Sequence, residues 1–167
     1  MLDALDPSPA EVAAARVVVV DDEPLVTETL RTFLDLELDI TAHAFNDPTR
    51  ALEHIQTQEV DLVISDFLMP QMDGIHFLRE VRQQQPVAPR ILLTGYADKQ
   101  NAIHAINQAR LFQYVEKPWD NDRLRSVVLR ALRQCYLVRR LAEHLTDAAE
   151  TRPGFAGLTD DLYSALS

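Results

Sequence analysis

Polar side chains that could carry out phosphate chemistry follow four separate apolar runs of the sequence. These side chains belong to Asp21 and Asp22, Asp66, Thr94 and Lys117. Polar residues ordinarily close strands, so any one of them would be unremarkable alone. If the runs form parallel strands of one sheet, however, three acids, a hydroxyl and an amine meet at one edge.

Three carboxylates in one place repel one another unless a cation lies among them. Mg²⁺ is the natural choice, because this hard ion takes one or two carboxylates, keeps several waters and shares phosphate oxygens. A carboxylate can also act as the nucleophile of phosphoryl transfer and become an aspartyl phosphate. In such a reaction Lys117 would offer its charge to one phosphoryl oxygen, and the Thr94 hydroxyl could donate to another.

The elements that must position these residues follow from hydrophobic patterning. Short apolar runs alternate with amphipathic stretches of helical spacing, which predicts an α/β fold. The predicted strands cover residues 17–20, 40–45, 60–65, 90–93 and 112–116. Unbroken apolar runs are typical of a parallel sheet covered on both faces. Right-handed crossovers then give a doubly wound sheet of order 2-1-3-4-5.

One helix is predicted after each strand, from cap and first-turn signals. The predicted starts are Pro24, Pro48 after Asp47, Gly74, Asp98 and the region around Leu124 after Asp120. The fifth helix continues as a short heptad seam of Leu124, Val128, Ala131, Cys135, Val138, Ala142 and Leu145. Two interpretations remain open: the extension pairs with a second copy as a dimer coil, or it folds back on its own domain or frays.

The same patterning predicts the domain organisation. Residues 1–15 are expected to be a flexible tail, 16–133 the domain, 134–149 a helical extension, and 150–167 a second tail. Five histidines are scattered along the chain, and no pair is expected to hold a metal.

Composition narrows the function classes. A net charge of -10 over 167 residues disfavours nucleic-acid binding, which depends on Lys and Arg. The single cysteine, Cys135, excludes an internal disulfide and fits a reducing compartment. The chain shows neither a signal peptide nor a membrane span, so we expect a soluble cytoplasmic protein.

Four motifs in the same order carry a family resemblance. They are Val19-Val20-Asp21-Asp22-Glu23, Asp66-Phe67-Leu68-Met69-Pro70-Gln71-Met72-Asp73-Gly74, Leu93-Thr94-Gly95-Tyr96 and Tyr114-Val115-Glu116-Lys117-Pro118. Over residues 15 to 133 the chain resembles response regulator receiver domains of two-component signalling, which have a flavodoxin-like fold. The resemblance implies a cis Lys117-Pro118 peptide bond.

The resemblance implies a role for each residue at the sheet edge. Asp66 becomes the phosphoacceptor of a sensor histidine kinase or phosphotransfer protein, and Thr94 and Lys117 assist. Asp22 binds Mg²⁺ directly, Asp21 binds it mainly through water, and the backbone carbonyl of Leu68 completes the protein ligands. The domain is consumed as a substrate and is therefore not a turnover enzyme.

The resemblance also implies a switch. Phosphate on Asp66 draws Thr94 toward it, and Tyr114 turns inward, which remodels the face made by the fourth helix, fifth strand and fifth helix. That face or the helical extension could form a homodimer. Because Leu68 is apolar where some relatives carry a polar residue, we expect slow self-dephosphorylation.

Two other interpretations fit the motifs less well. A receiver-like scaffold that dimerises or docks regardless of phosphate is the main alternative, although the complete set of site residues argues against it. A haloacid-dehalogenase-like hydrolase would need an Asp-x-Asp motif, which Asp21-Asp22-Glu23 does not match. The stretches Gly95-Tyr96-Ala97-Asp98 and Lys117-Pro118-Trp119-Asp120 are similar to those of receivers that precede larger outputs such as cyclic-dinucleotide phosphodiesterases or enhancer-type ATPases. The sequence leaves open whether this is a single-domain regulator or part of a longer protein.

Overall fold

A central parallel sheet organises the chain. The structure, a computed structural model, describes residues 6–95, 98, 100, 103, 109–151 and 157–166. The strands are β1 (Val17–Val20), β2 (His43–Phe45), β3 (Leu62–Asp66), β4 (Arg90–Thr94) and β5 (Gln113–Glu116). All neighbouring strands pair in parallel, in the order β2-β1-β3-β4-β5. The predicted α/β fold and its strand order are confirmed.

Six helices lie within the described residues. They are α1 (Pro9–Ala13), α2 (Pro24–Leu38), α3 (Pro48–Thr57), α4 (Gly74–Gln84), α5 (Asn121–Thr151) and α6 (Leu158–Leu166). Most of the helix predicted over residues 98–107 falls outside the described residues. No helix in the described ranges is both long and apolar enough to cross a membrane.

The sheet is buried on both faces, as its apolar strands require. Within β1, Val17 and Val19 belong to the core on one face, while Val18 and Val20 belong to the core on the other. Helices α2 and α5 cover the first face, and α3 and α4 cover the second. This arrangement leaves the ends of the strands as the places where polar groups can gather.

The N-terminal segment differs from the expected flexible tail. Ser8 caps α1 in a capping box with Glu11, and Val12 packs into the core. Glu11 also pairs with Arg140 of α5, with Glu11 Oε1 and Arg140 Nη2 2.6 Å apart, so the segment contacts the domain. The signal Ser-x-x-Glu was present in the sequence, but five residues are too few to show a helical period.

The extension of α5 folds back on its own chain, which is one of the two interpretations left open by the sequence. Cys135 is fully buried and Ala142 nearly so within a single chain. Arg139 pairs with the buried Asp61 and also donates to the carbonyl of Val60 at 2.8 Å. Two seam residues, Cys135 and Ala142, are thus covered within one chain, whereas the dimer interpretation would have a second copy cover them.

The C-terminal segment also differs from the expected tail, because it contains α6. This helix packs along α5, and Arg110 donates to the carbonyl of Ala165 at 2.6 Å. Its residues are only partly covered, and none is buried. Leu158, Leu162 and Leu166 recur at helical spacing, but the helix has only 9 residues, which is shorter than the window of about 11 residues over which a helical period is judged.

Candidate functional site

The carboxyl ends of four strands bring the candidate residues to one edge of the sheet. Asp66 and Thr94 are the last residues of β3 and β4. Asp21 follows β1, and Lys117 follows β5. Because the strands are parallel and in register, their ends meet, and the structure brings together the residues chosen from the sequence.

An ammonium group bridges two of the carboxylates. Lys117 Nζ lies 2.7 Å from Asp21 Oδ2 and 2.6 Å from Asp66 Oδ1. Asp22 completes the acidic group, since one carboxylate oxygen from each of the three aspartates lies within 4.8 Å of the others. The site thus holds three carboxylates against one ammonium.

Burial shapes the charges of the site. Asp21 is fully buried and Asp66 is 7% exposed. Burial raises the pKa of Asp66 above its ordinary value even though Lys117 opposes the shift, and the nearby Asp21 adds to the rise. Burial alone would lower the pKa of Lys117, but its two carboxylate partners outweigh burial and raise it. Lys117 therefore stays charged, while the carboxylates remain incompletely neutralised.

The donor set suits Mg²⁺. Three carboxylates within reach of one another supply hard oxygen ligands, and one ammonium does not balance their charge. Asp21, Asp22 and Asp66 could hold the ion. The fourth expected ligand, the backbone carbonyl of Leu68, stays a prediction, and the Leu68 side chain is 58% exposed.

The two residues expected to form the switch lie on neighbouring strands. Thr94 is fully buried, and its hydroxyl donates to the carbonyl of Gly95 at 3.0 Å. Tyr114, on β5, is half-buried and packs against the core on the second face. The Lys117-Pro118 peptide bond is cis, as expected.

Gly74 is a residue whose importance the sequence reasoning missed. It begins α4, and a Cβ added there would lie 1.9 Å from the backbone oxygen of Asp66. Its own N–H donates to the carbonyl of Phe67 at 2.8 Å. The helix can approach the backbone of Asp66 and Phe67 this closely only because glycine has no side chain. The glycine was visible in the motif, but its partner was not.

Asn46 was also missed. It follows β2, and its amide nitrogen donates to the backbone oxygen of Asp21 at 2.8 Å. No sequence motif pointed to this contact, because Asn46 lies 25 positions from Asp21.

One pair of histidines is closer than the sequence suggested. The rings of His43 on β2 and His54 on α3 have centroids 4.8 Å apart, and His54 also contacts Phe45. Burial, and then the nearby His43, lower the pKa of His54. We interpret the three rings as a packing cluster at the sheet edge.

Comparisons with known proteins agree with this geometry. A family model described as the response regulator receiver domain matches residues 17–129. Among curated proteins, the hydrogenase transcriptional regulatory protein HoxA of Cupriavidus necator is 38% identical over 118 residues, which is 71% of this chain and 24% of that protein. The regulatory protein AtoC of Escherichia coli is 37% identical over 139 residues, which is 83% of this chain and 30% of that protein.

A solved structure supports the same relationship. The signal receiver domain of an HD domain-containing protein from Pseudomonas fluorescens Pf-5 is 37% identical and has a TM-score of 0.68. The match covers 73% of this chain and 97% of that domain. In contrast, the chain spans only 24% and 30% of the length of the two curated relatives above.

Proposed function

Because the chain belongs to the response regulator receiver domain family, we propose that it is a phosphorylation switch in which Asp66 accepts a phosphoryl group. The donor is a phosphohistidine of a sensor kinase or of a phosphotransfer protein. The observation that carries this proposal is the bridge of Lys117 between Asp21 and Asp66, beside Asp22.

Asp66 is the nucleophile in this proposal. Its carboxylate oxygen forms a bond to phosphorus while the bond from phosphorus to the donor's imidazole nitrogen breaks. Lys117 moves from the carboxylate to a phosphoryl oxygen and keeps its charge, as its raised pKa favours. Bound Mg²⁺, held by Asp21, Asp22 and Asp66, would supply positive charge to the carboxylates and the phosphoryl oxygens.

Thr94 and Tyr114 transmit the change. The Thr94 hydroxyl, which donates to Gly95 here, exchanges that carbonyl for a phosphoryl oxygen. The half-buried ring of Tyr114, on the adjacent strand, then moves into the space that Thr94 leaves. This local change alters the face that contains β5 and α5.

The output of the switch is a further protein contact. HoxA is named a transcriptional regulatory protein and AtoC a regulatory protein, and both are much longer than this chain. We propose that a downstream protein or an attached output domain reads the face containing β5 and α5. The net charge of -10 argues that nucleic acid is not bound by this domain directly.

Intact mass measurement tests the proposal. Wild type and Asp66→Asn are incubated with acetyl phosphate, with Mg²⁺ or with EDTA. We expect one phosphoryl adduct on the wild type with Mg²⁺, and none with EDTA or on Asp66→Asn. A wild type that takes up no phosphoryl group in the presence of Mg²⁺ would instead favour a phosphate-independent scaffold.

A further inference from the structure

The loop after β1 carries two of the three candidate metal ligands, and a side chain from a different strand holds it. Asn46, directly after β2, donates from one amide nitrogen to the backbone oxygen of Asp21 at 2.8 Å and to Thr27 Oγ1 at 3.1 Å. The N–H of Asp21 donates to the carbonyl of Phe45 at 3.2 Å. Residues at the end of β2 therefore hold both the N–H and the carbonyl of Asp21.

Thr27 determines which end of the Asn46 amide faces the loop. The Thr27 hydroxyl has one hydrogen, and it donates that hydrogen to the carbonyl of Pro24 at 3.0 Å. Its oxygen can then only accept from Asn46, so the amide must present its nitrogen rather than its oxygen. Thr27 is itself buried, which keeps this arrangement in one conformation.

The contact to Asp21 also fixes the residue that follows. A peptide unit is planar, so holding the carbonyl of Asp21 holds the plane that ends at the nitrogen and Cα of Asp22. The Asp21 carboxylate has its own partners, because Oδ2 binds Lys117 and Oδ1 accepts from the N–H of Glu23 at 2.9 Å. Asp22 is half-exposed, so the direction of its carboxylate depends more on its backbone.

We infer that Asn46 is a positioning residue for the divalent cation, and that it acts through the Asp21-Asp22 peptide unit to aim the Asp22 carboxylate into the site. This inference rests on the proposed function, since it concerns the Mg²⁺ that the phosphoryl transfer requires. Asn46 is not one of the three carboxylate residues that could hold the ion. It contributes the orientation of a ligand, as residues behind the direct metal ligands commonly do.

Calorimetric titration with Mg²⁺ tests the inference on the full chain. The variant is Asn46→Ala, and the matched control is Gln85→Ala, which removes a similar amide near the amino end of β3. Gln85 donates to the carbonyls of Ile55 and Gln58 and accepts from the N–H of Val60. Both substitutions remove bonds from a side-chain amide to the backbone, but only one of these amides reaches the acidic loop.

We expect Asn46→Ala to raise the Kd for Mg²⁺ roughly tenfold, at a temperature where every variant is folded. Gln85→Ala should leave the Kd unchanged while it lowers the melting temperature. An unchanged Kd in Asn46→Ala, or an equal rise in both variants, would overturn the inference. A wild type that binds no Mg²⁺ would instead contradict the proposed function, so the two failures are distinguishable.

Discussion

The ammonium nitrogen of Lys117 lies 2.6 Å from Asp66 Oδ1, so the proposed acceptor carboxylate is ion-paired before any phosphate arrives. The same nitrogen lies 2.7 Å from Asp21 Oδ2. Lys117 therefore neutralises part of the acidic group in the resting protein and stands where a phosphoryl oxygen on Asp66 would need a positive partner.

Removing this ammonium should destabilise the protein in a way that depends on Mg²⁺. In Lys117→Met, the buried Asp21 loses its cation, which we expect to cost about 3 kcal/mol in the free energy of unfolding with EDTA present. Mg²⁺ should restore part of the loss, because it binds the same carboxylates in the folded state. Urea denaturation with and without Mg²⁺ measures both values.

The control for this experiment is Arg31→Met, which removes an exposed pair with Glu28. It should cost less than about 1 kcal/mol and show no dependence on Mg²⁺. A loss in Lys117→Met that is equal with EDTA and with Mg²⁺ would argue that the ion does not share the carboxylates with Lys117.

Gly74→Ala should be strongly destabilising. The added Cβ would lie 1.9 Å from the backbone oxygen of Asp66, so α4 and the backbone of Asp66 and Phe67 must separate. We expect a loss of about 3 kcal/mol in the free energy of unfolding, typical of overpacking in a rigid site. In Gly95→Ala the nearest atom among the described residues, apart from the chain neighbours of Gly95, lies 3.6 Å from the new Cβ, so this variant should remain within about 1 kcal/mol of wild type. Equal melting temperatures for the two variants would contradict this close approach.

The stabilising effect of Asp61 should disappear in acid. Burial would raise the pKa of Asp61, but Arg16 and Arg139 outweigh burial and lower it below its ordinary value. A lowered folded-state pKa stabilises the protein above the unfolded pKa of about 4, and the stabilisation is lost as pH falls through the folded-state value. Asp61→Asn should therefore cost about 2 kcal/mol at pH 6, and its difference from wild type should shrink below pH 4. A difference that is constant or larger at pH 3 would be inconsistent with the ion pairs.

Cys135 reports whether the extension of α5 stays on the domain. Its thiol is fully buried, and burial raises its pKa to about 12, so it should react slowly with a thiol reagent at pH 8. Arg139→Met removes the pair with Asp61 one turn along the helix and should speed the reaction. Arg50→Met, which removes an exposed pair with Glu53, should not. Fast labelling of the wild type would show that the extension leaves the domain readily.

The lifetime of the acyl phosphate should depend on Leu68. This side chain is 58% exposed and apolar, so it cannot hold a water molecule for attack on phosphorus. Leu68→Asn offers a polar group at that position and should shorten the lifetime severalfold with little change in stability. Decay of the adduct, followed by intact mass after removal of acetyl phosphate, gives the rate. An unchanged rate would mean that Leu68 does not limit dephosphorylation.

Much of the site could be predicted from the sequence, because parallel strands place their last residues at a common edge. Val17–Val20 was predicted with its observed bounds, and the other strands were displaced by no more than three residues at either end. The cap at Asp47 and the start of α2 at Pro24 follow local rules that a sequence displays directly.

What could not be predicted depends on contacts between distant residues. The amide of Asn46 reaches Asp21 only after β2 pairs with β1, and no local pattern encodes that contact. The seam on α5 has the same period whether it packs on its own domain or on a second helix. The pair between Arg139 and Asp61, residues that lie 78 positions apart, favours its own domain.

The most direct test of the central claim is to locate the phosphoryl group. Wild type phosphorylated by acetyl phosphate with Mg²⁺ is reduced with borohydride, which converts an aspartyl phosphate to homoserine, and the peptides are sequenced by mass spectrometry. The proposed function predicts homoserine at position 66 alone, and its absence in Asp66→Asn. Homoserine at another aspartate with Asp66 unmodified, or no conversion at all, would contradict it.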